Sequence, residues 1–175
     1  MERSARRVAR VLQEKGLKPG EVVTMVDRSR VETPVLAMAV WLCGAVFNTM
    51  DPNPAKSTLE GNLSAFLPKI LLTSSDYLSK LESFCTERKV LVWLYDKADS
   101  IADLVPAKED YNNDHKEEFP TRNDPNDLAL VLWSSGSTGS PKGIKLPFSA
   151  LIGTCLRQRE APISTIIDPE YFCLP

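Results

Sequence analysis

The sequence lacks the features that mark several common classes of protein. Its longest uncharged apolar run, from Val35 to Phe47, is shorter than the roughly 20 residues of a membrane-spanning helix, and Gly44 interrupts it. A net charge of −2 and a pI near 5.5 provide no basic surface for nucleic acid. We therefore expect neither a transmembrane segment nor a nucleic-acid partner.

Residues that commonly hold metals or carry redox chemistry are few and scattered. The four cysteines, Cys43, Cys85, Cys155 and Cys173, lie too far apart for a metal or redox spacing. Because no secretory signal opens the sequence, we expect reduced thiols in the core of an intracellular protein. The one histidine, His115, lies in a charged run typical of a solvated surface, and the acidic residues there lack ordered ligand spacing. We assign neither a catalytic histidine nor a metal site.

The first half of the sequence alternates between strand and helix patterns. We predict helices at Ser4–Lys15, Thr33–Cys43, from Ser57 to about Leu67 and from Ser75 to about Phe84, and strands at Val22–Val26, Ala45–Phe47, Lys69–Thr73 and Val90–Leu94. A capping box, Ser57 with Glu60, is expected to open the third helix. This alternation predicts an α/β fold, in which a mostly parallel sheet carries helices on both faces.

The second half changes character twice. Residues 96–127 are acidic and polar with several prolines, which predicts a surface excursion after an α/β core of residues 1–95. Residues 128–146 then predict a strand–loop–strand unit, with a buried strand over Leu128–Trp133 and a return strand over Ile144–Leu146. Residues 147–175 predict a helix to about Glu160 and the start of a strand. On that helix we expect Leu151, Cys155 and Ile152 to face inward.

The loop between those two strands concentrates hydrogen-bond donors. From Ser134 to Gly143 it holds five hydroxyl side chains, three glycines and Lys142. Glycine lets backbone N–H groups approach a ligand, while hydroxyls and an ammonium group add donors. Such a nest suits a nucleotide's phosphate tail. The spacing is neither a Walker A motif, because Pro141 precedes the lysine, nor Gly-x-Gly-x-x-Gly. A Ser/Gly surface linker is the alternative, but a linker needs neither Pro-Lys-Gly nor flanking apolar runs.

The run Ser-Ser-Gly-Ser-Thr-Gly-Ser-Pro-Lys-Gly resembles the signature loop of the adenylate-forming superfamily, and most closely that of acyl-CoA synthetases, 4-coumarate–CoA ligases and insect luciferase-like proteins. The resemblance implies that this loop binds the β- and γ-phosphates of ATP. The residues on the family's positions are Ser134, Ser135, Gly136, Ser137, Thr138, Gly139 and Lys142. The family often has histidine where this chain has Phe148.

The resemblance further implies the N-terminal part, residues 1–175, of an AMP-forming carboxylate–CoA ligase. Such an enzyme uses ATP, Mg²⁺ and CoA on a small-molecule carboxylic acid, in the cytoplasm or in peroxisomes. The family's later motifs, which supply magnesium, ribose and catalytic lysine contacts, have no counterpart in these residues. We therefore expect this segment alone to be inactive. A truncated paralogue that acts as a binding or regulatory module is the alternative.

Overall fold

The computed structural model describes residues 2–30, 32–94, 119, 124–134 and 141–160, with side chains up to 157 in the last range. The helices are α1 (Glu2–Glu14), α2 (Thr33–Leu42), α3 (Lys56–Ala65), α4 (Ser75–Arg88) and α5 (Phe148–Glu160). The strands are β1 (Val22–Val26), β2 (Val46–Met50), β3 (Ile70–Thr73), β4 (Leu91–Leu94), β5 (Leu128–Ser134) and β6 (Lys142–Pro147).

The strands form one sheet in the order β4-β3-β1-β2-β5-β6. All neighbouring pairs are parallel except β5 and β6, which form an antiparallel hairpin. The predicted α/β fold, a mostly parallel sheet with helices on both faces, is confirmed. Because parallel strands end at a common edge, the β5–β6 connection leaves the sheet at the same edge as the carboxyl ends of β1 to β4.

Each face of the sheet is covered by its own apolar cluster. On one face, Leu12 of α1 and Leu36 of α2 pack against the sheet, which contributes Leu72 of β3. All three side chains are fully buried. On the other face α3 and α4 supply Leu63 and Leu81, also fully buried. This double cover explains why β1 and β3 read as continuous apolar runs, as expected for parallel strands buried on both faces.

The structure corrects three sequence predictions about local elements. Helix α3 begins at Lys56 after Ala55, and no side chain caps it, so the predicted Ser57–Glu60 capping box is wrong. Ser57 and Glu60 have the spacing of a capping box, but both lie inside the helix, so Ser57 is not at the N-cap position. Helix α4 runs on to Arg88, beyond the predicted end, and closes with Lys89 in the left-handed conformation. Strand β5 is not buried throughout, because successive side chains face opposite sides of the sheet and one side is less covered here. Ala129 and Val131 are buried, whereas Leu128, Leu130 and Leu132 are accessible.

The prediction of which residues of the last helix face inward is also wrong in part. Leu151 is half-buried, but Ile152 is 52% exposed and Cys155 is exposed. The helix is anchored at its start, where the centroids of the Phe148 and Trp41 rings lie 6.3 Å apart in an edge-on contact. The spacing of apolar residues did not indicate that the later turns are exposed.

The described cysteines differ in burial between the first and second halves of the chain. Cys43 and Cys85 are buried, as predicted, whereas the prediction of a core position fails for Cys155. Burial raises the pKa of Cys43 to about 12 and that of Cys85 to about 11. Cys173, His115 and most of the 96–127 segment lie outside the described residues. Across the described helices, none has the length and apolar character needed to cross a membrane.

Candidate phosphate-binding site

Two of the predicted loop residues stand opposite each other where the hairpin leaves the sheet. Ser134, the last residue of β5, pairs with Lys142, the first residue of β6. The Ser134 hydroxyl lies 3.5 Å from the Lys142 carbonyl oxygen, and Lys142 is exposed. The other predicted site residues, Ser135, Gly136, Ser137, Thr138 and Gly139, lie outside the described residues. The described part of the motif therefore provides one hydroxyl and one ammonium group at a shared position.

The carboxyl ends of the neighbouring strands bring acidic residues to the same sheet edge. Asp27 follows β1, and its carboxylate accepts a bond from the Arg28 backbone at 2.7 Å and pairs with Arg30 at 3.4 Å. Asp51 follows β2 and accepts bonds from the Asn53 backbone and side chain at 3.0 and 2.7 Å. Both carboxylates thus stabilise their own turns through bonds to local donors.

A cleft of about 260 Å³ opens beside the hairpin end, between helix α3 and strands β2 and β5. It is lined by Met50, Asp51, Pro54, Leu59, Asn62, Trp133, Ser134 and Pro141. Ser134 therefore borders open space on the α3 side of the sheet. A ligand held at the hairpin end has room there without displacing the core.

Trp133, the residue before Ser134, is fixed by contacts that sequence reasoning did not identify. Its indole N–H donates to Asn48 Oδ1 at 2.9 Å, and Asn48 Nδ2 donates to Thr24 Oγ1 at 3.0 Å. Its ring meets Phe66, just past α3, edge-on at 5.9 Å. The sequence did carry one signal for this contact. Asn48 lies within the β2 strand, where asparagine is depleted, so its amide is expected to have a specific partner.

Gly143 faces Trp133 across the hairpin, and the space at this position is filled by aromatic rings. A Cβ there would lie 2.7 Å from Phe66 Cε2 and 3.3 Å from Trp133 Cη2. Only glycine fits this position without displacing a ring. The Pro-Lys-Gly end of the motif therefore has a packing role in addition to any contact with a ligand.

The described residues contain no group of three or more His, Cys, Asp or Glu side chains that could hold a metal ion. This finding covers the described ranges alone. Mg²⁺ in nucleotide sites is commonly held by one or two carboxylates together with substrate phosphates and water. The geometry therefore assigns no protein ligand to the Mg²⁺ that the resemblance implies.

Comparisons with known proteins extend over nearly the whole chain. Peroxisomal OPC-8:0-CoA ligase 1 of Arabidopsis thaliana is 28% identical over 147 residues, which cover 81% of this chain and 26% of that protein. Zwittermicin A synthase ZmaJ of Bacillus cereus is 31% identical over 161 residues, covering 90% of this chain and 27% of that protein. The chain spans just over a quarter of the length of these relatives.

Solved structures give the same answer for the fold. ATP-bound MatB from Rhodopseudomonas palustris superposes with a TM-score of 0.73 at 25% identity, covering 87% of this chain and 30% of that one. The luciferase-like enzyme of the mealworm Zophobas morio superposes with a TM-score of 0.65 at 25% identity, covering 83% and 34%. The sequence model of the AMP-binding enzymes matches residues 1–174. As its loop motif predicts, the chain belongs to the AMP-binding enzyme family, and its fold is that of the N-terminal domain of adenylate-forming enzymes.

Proposed function

We propose that this chain is the phosphate-binding part of an AMP-forming carboxylate–CoA ligase. The observation that carries the proposal is the pairing of Ser134 with Lys142 at the carboxyl edge of a parallel sheet, beside an open cleft. Ligands of open α/β sheets bind outside the carboxyl ends of the strands. The proposed phosphate ligands are Ser134, Ser135, Gly136, Ser137, Thr138, Gly139 and Lys142.

In the proposed reaction, a carboxylate oxygen of the substrate bonds to the α-phosphorus of ATP and pyrophosphate leaves. The CoA thiol then attacks the acyl carbonyl of the adenylate, and AMP departs. The loop acts in the first step, where its donors and the Lys142 ammonium group offset the negative charge that gathers on pyrophosphate. When present, Mg²⁺ would add positive charge at the same phosphates, and we assign it no ligand among the described residues.

Three relatives bear on which acid is activated and on what accepts the acyl group. The Arabidopsis protein and 4-coumarate–CoA ligase CCL1 of Humulus lupulus are named as CoA ligases, which supports CoA. GRA1 of Gibberella zeae, 33% identical over 140 residues, is named as a nonribosomal peptide synthetase and favours amino-acid activation instead. In a protein that contains these residues together with the family's later motifs, exchange of labelled pyrophosphate into ATP separates the two assignments. The exchange is measured with carboxylic acids that lack an amino group and, separately, with amino acids. Amino-acid-dependent exchange alone would overturn the CoA ligase assignment.

Our proposal for the chain's organisation follows the sequence boundaries. Residues 1–175 form an incomplete N-terminal adenylation domain, comprising the α/β core (1–95), an acidic excursion (96–127), the loop unit (128–146) and a terminal segment (147–175). We propose a cytoplasmic or peroxisomal location, the latter supported by the name of the Arabidopsis relative.

The energetics of a few phosphate contacts predict weak binding by this segment alone. A neutral hydrogen bond contributes about 0.5–1.5 kcal/mol and a charge-assisted one about 1.5–3 kcal/mol. Association itself costs an estimated ~4–15 kcal/mol. The surplus from one loop is therefore small without further contacts to adenine and ribose. We expect millimolar or weaker ATP binding and no measurable turnover by the 175-residue chain.

Titration of the chain with tripolyphosphate, followed by NMR chemical shifts, tests the proposed site. Lys142→Ala should weaken binding by about tenfold or more, because a lost charge-assisted contact is worth about 1.5 kcal/mol or more. Lys145→Ala is the matched control. It removes the same charge from the same strand, but its ammonium group lies over the Phe66 ring at 5.4 Å.

Equal losses in both variants would show attraction to general positive charge and would overturn the assigned site. The same outcome would follow if the wild-type chain bound tripolyphosphate without shifting the signals of Ser134 and Lys142. A slower release of pyrophosphate after replacing the equivalent lysine in a full-length relative would extend the result to catalysis.

A further inference from the structure

We infer that Asn48, acting through the indole of Trp133, is a positioning residue for the hairpin end that carries Ser134 and Lys142. The inference rests on the proposed function only where it concerns phosphate binding. Its structural part concerns the two strand ends themselves and can be tested without a ligand.

Asn48 is fully buried in the middle of β2, where an amide is costly unless both of its ends are hydrogen-bonded. Both ends are. Since an indole N–H can only donate, the side-chain oxygen of Asn48 must face Trp133. Its amide nitrogen then faces the Thr24 hydroxyl, which is fully buried on β1. The amide therefore has one orientation, and it ties the hairpin to the two central strands.

The position of Trp133 makes this tie effective at the site. Trp133 directly precedes Ser134, and its cross-strand partner Gly143 directly follows Lys142. Phe66 contacts the Trp133 ring edge-on and occupies the space beside Gly143. The indole is thus held by β2 at its nitrogen and by the end of α3 at its ring. Because Trp133 and Gly143 are the chain neighbours of Ser134 and Lys142, we expect a shift of the indole to displace the backbone of both site residues.

The other end of the same strand carries a similar anchor that does not involve the site. The Trp41 indole N–H, on α2, donates to the Ala129 carbonyl oxygen at 2.8 Å. Asn48–Trp133 and Trp41–Ala129 thus hold β5 near its opposite ends. Loss of the first bond should loosen the loop end, and loss of the second should loosen the distant end. This pair supplies a matched control within one strand.

The ligand-free test is amide hydrogen exchange in Asn48→Leu and Trp41→Phe. The measured quantity is the ratio of exchange rates at the loop end, Lys142 to Ile144, to those at the distant end, Leu130 and Leu146. A general loss of stability raises all rates together and leaves this ratio unchanged. Asn48→Leu should raise the ratio on the order of tenfold, the factor for about 1.4 kcal/mol of local opening. Trp41→Phe should lower it. An unchanged ratio in Asn48→Leu would overturn the inference.

Trp133→Phe removes the indole N–H that donates to Asn48 and keeps an aromatic ring beside Phe66, and it matches the Trp41→Phe change in chemistry. It replaces Asn48→Leu if that variant does not fold, with the same direction expected and a smaller change. An unchanged ratio in Trp133→Phe would then overturn the inference.

Tripolyphosphate binding then tests the functional part. Asn48→Leu should raise Kd about three- to tenfold, whereas Trp41→Phe should leave it within about twofold. Equal Kd values for Asn48→Leu and wild type, with a raised exchange ratio, would restrict Asn48 to a structural role and overturn its link to binding. If the wild-type chain does not bind tripolyphosphate, the proposed function fails, while the exchange ratio still decides whether Asn48 positions the hairpin.

Discussion

One sheet contains both the parallel strands β1 to β4 and the hairpin β5–β6, but the two regions differ sharply in how far their side chains are buried. Leu71 and Leu72 on β3 are fully buried, one on each face. On the hairpin, Leu132 and its cross-strand partner Ile144 are 38% and 47% exposed. The same kinds of side chain therefore pack in a core at one side of the sheet and lie accessible at the other.

The difference separates the source of stability from the place of function. Helices on both faces enclose the strands from β3 to β2, whereas the hairpin is held to them by β5 pairing and by the two tryptophan anchors. Helix α5 continues the accessible surface with Ile152 and Leu156, which are 52% and 55% exposed and four residues apart. The candidate site lies on the less enclosed part, as is common for loops mounted on a rigid scaffold.

Paired leucine substitutions should separate the two regions most strongly. Leu72→Ala removes a fully buried side chain and should lower the free energy of unfolding by about 2–5 kcal/mol. Leu132→Ala removes a side chain that is already 38% exposed and should cost about 1 kcal/mol or less. Urea denaturation of the purified chain measures both. Similar costs would mean that the hairpin is as firmly packed as the core.

The cysteines test the same contrast through pH. Burial raises the pKa of Cys43 from 9.0 to about 12, so its thiol stays neutral when the unfolded chain's thiol has ionised. The unfolded state then binds fewer protons, and stability should fall as pH rises from about 9 towards 12. The urea midpoint measured from pH 8 to 11, a range chosen to cross about 9, should drop less in Cys43→Ala than in wild type.

Thiol reactivity tests the same contrast, with Cys155 on α5 as the exposed control. With a thiol reagent, Cys155 should react in the folded protein, whereas Cys43 and Cys85 should react only on unfolding. Rapid modification of Cys43 in the native chain would contradict the enclosed core.

Gly143→Ala probes the aromatic packing at the hairpin end. The new Cβ would meet the Phe66 ring at 2.7 Å, so the ring must move and its contact with Trp133 weakens. We expect a loss of about 1–3 kcal/mol in the free energy of unfolding, typical of overpacking. Gly61→Ala, on α3 with no atom within 4 Å of the new Cβ, is the matched control and should not destabilise. An unchanged stability in Gly143→Ala would mean that the ring yields freely.

Much of the fold could be predicted from the sequence because its strands are short, apolar and separated by helical spacing. Val22–Val26 was predicted with its observed bounds, and Thr33 with Pro34 marked the start of α2. The extent of α4 and the inward face of α5 could not be predicted. Those properties depend on what each helix packs against, which spacing does not encode.

For the candidate site, the motif predicted which residues lie at the sheet edge but not what holds them there. Ser134 and Lys142 stand together because β5 and β6 pair in register, and that pairing was expected from the flanking apolar runs. The roles of Asn48 and Phe66 depend on contacts between residues far apart in sequence. Asn48 and Trp133, for example, are 85 residues apart, and no local pattern links them.

The smallest predicted effect asks whether α5 folds as one unit with the sheet. Gly153→Ala places a methyl group where no atom lies within 4 Å, and alanine favours a helix over glycine by up to about 1 kcal/mol. If α5 unfolds together with the core, the urea midpoint should rise by an amount similar to that in Gly61→Ala on α3, with the same m-value. If α5 opens separately, helical circular dichroism should increase while the midpoint stays unchanged. That second result would place α5, with its exposed Ile152 and Leu156, outside the cooperative unit that supports the hairpin.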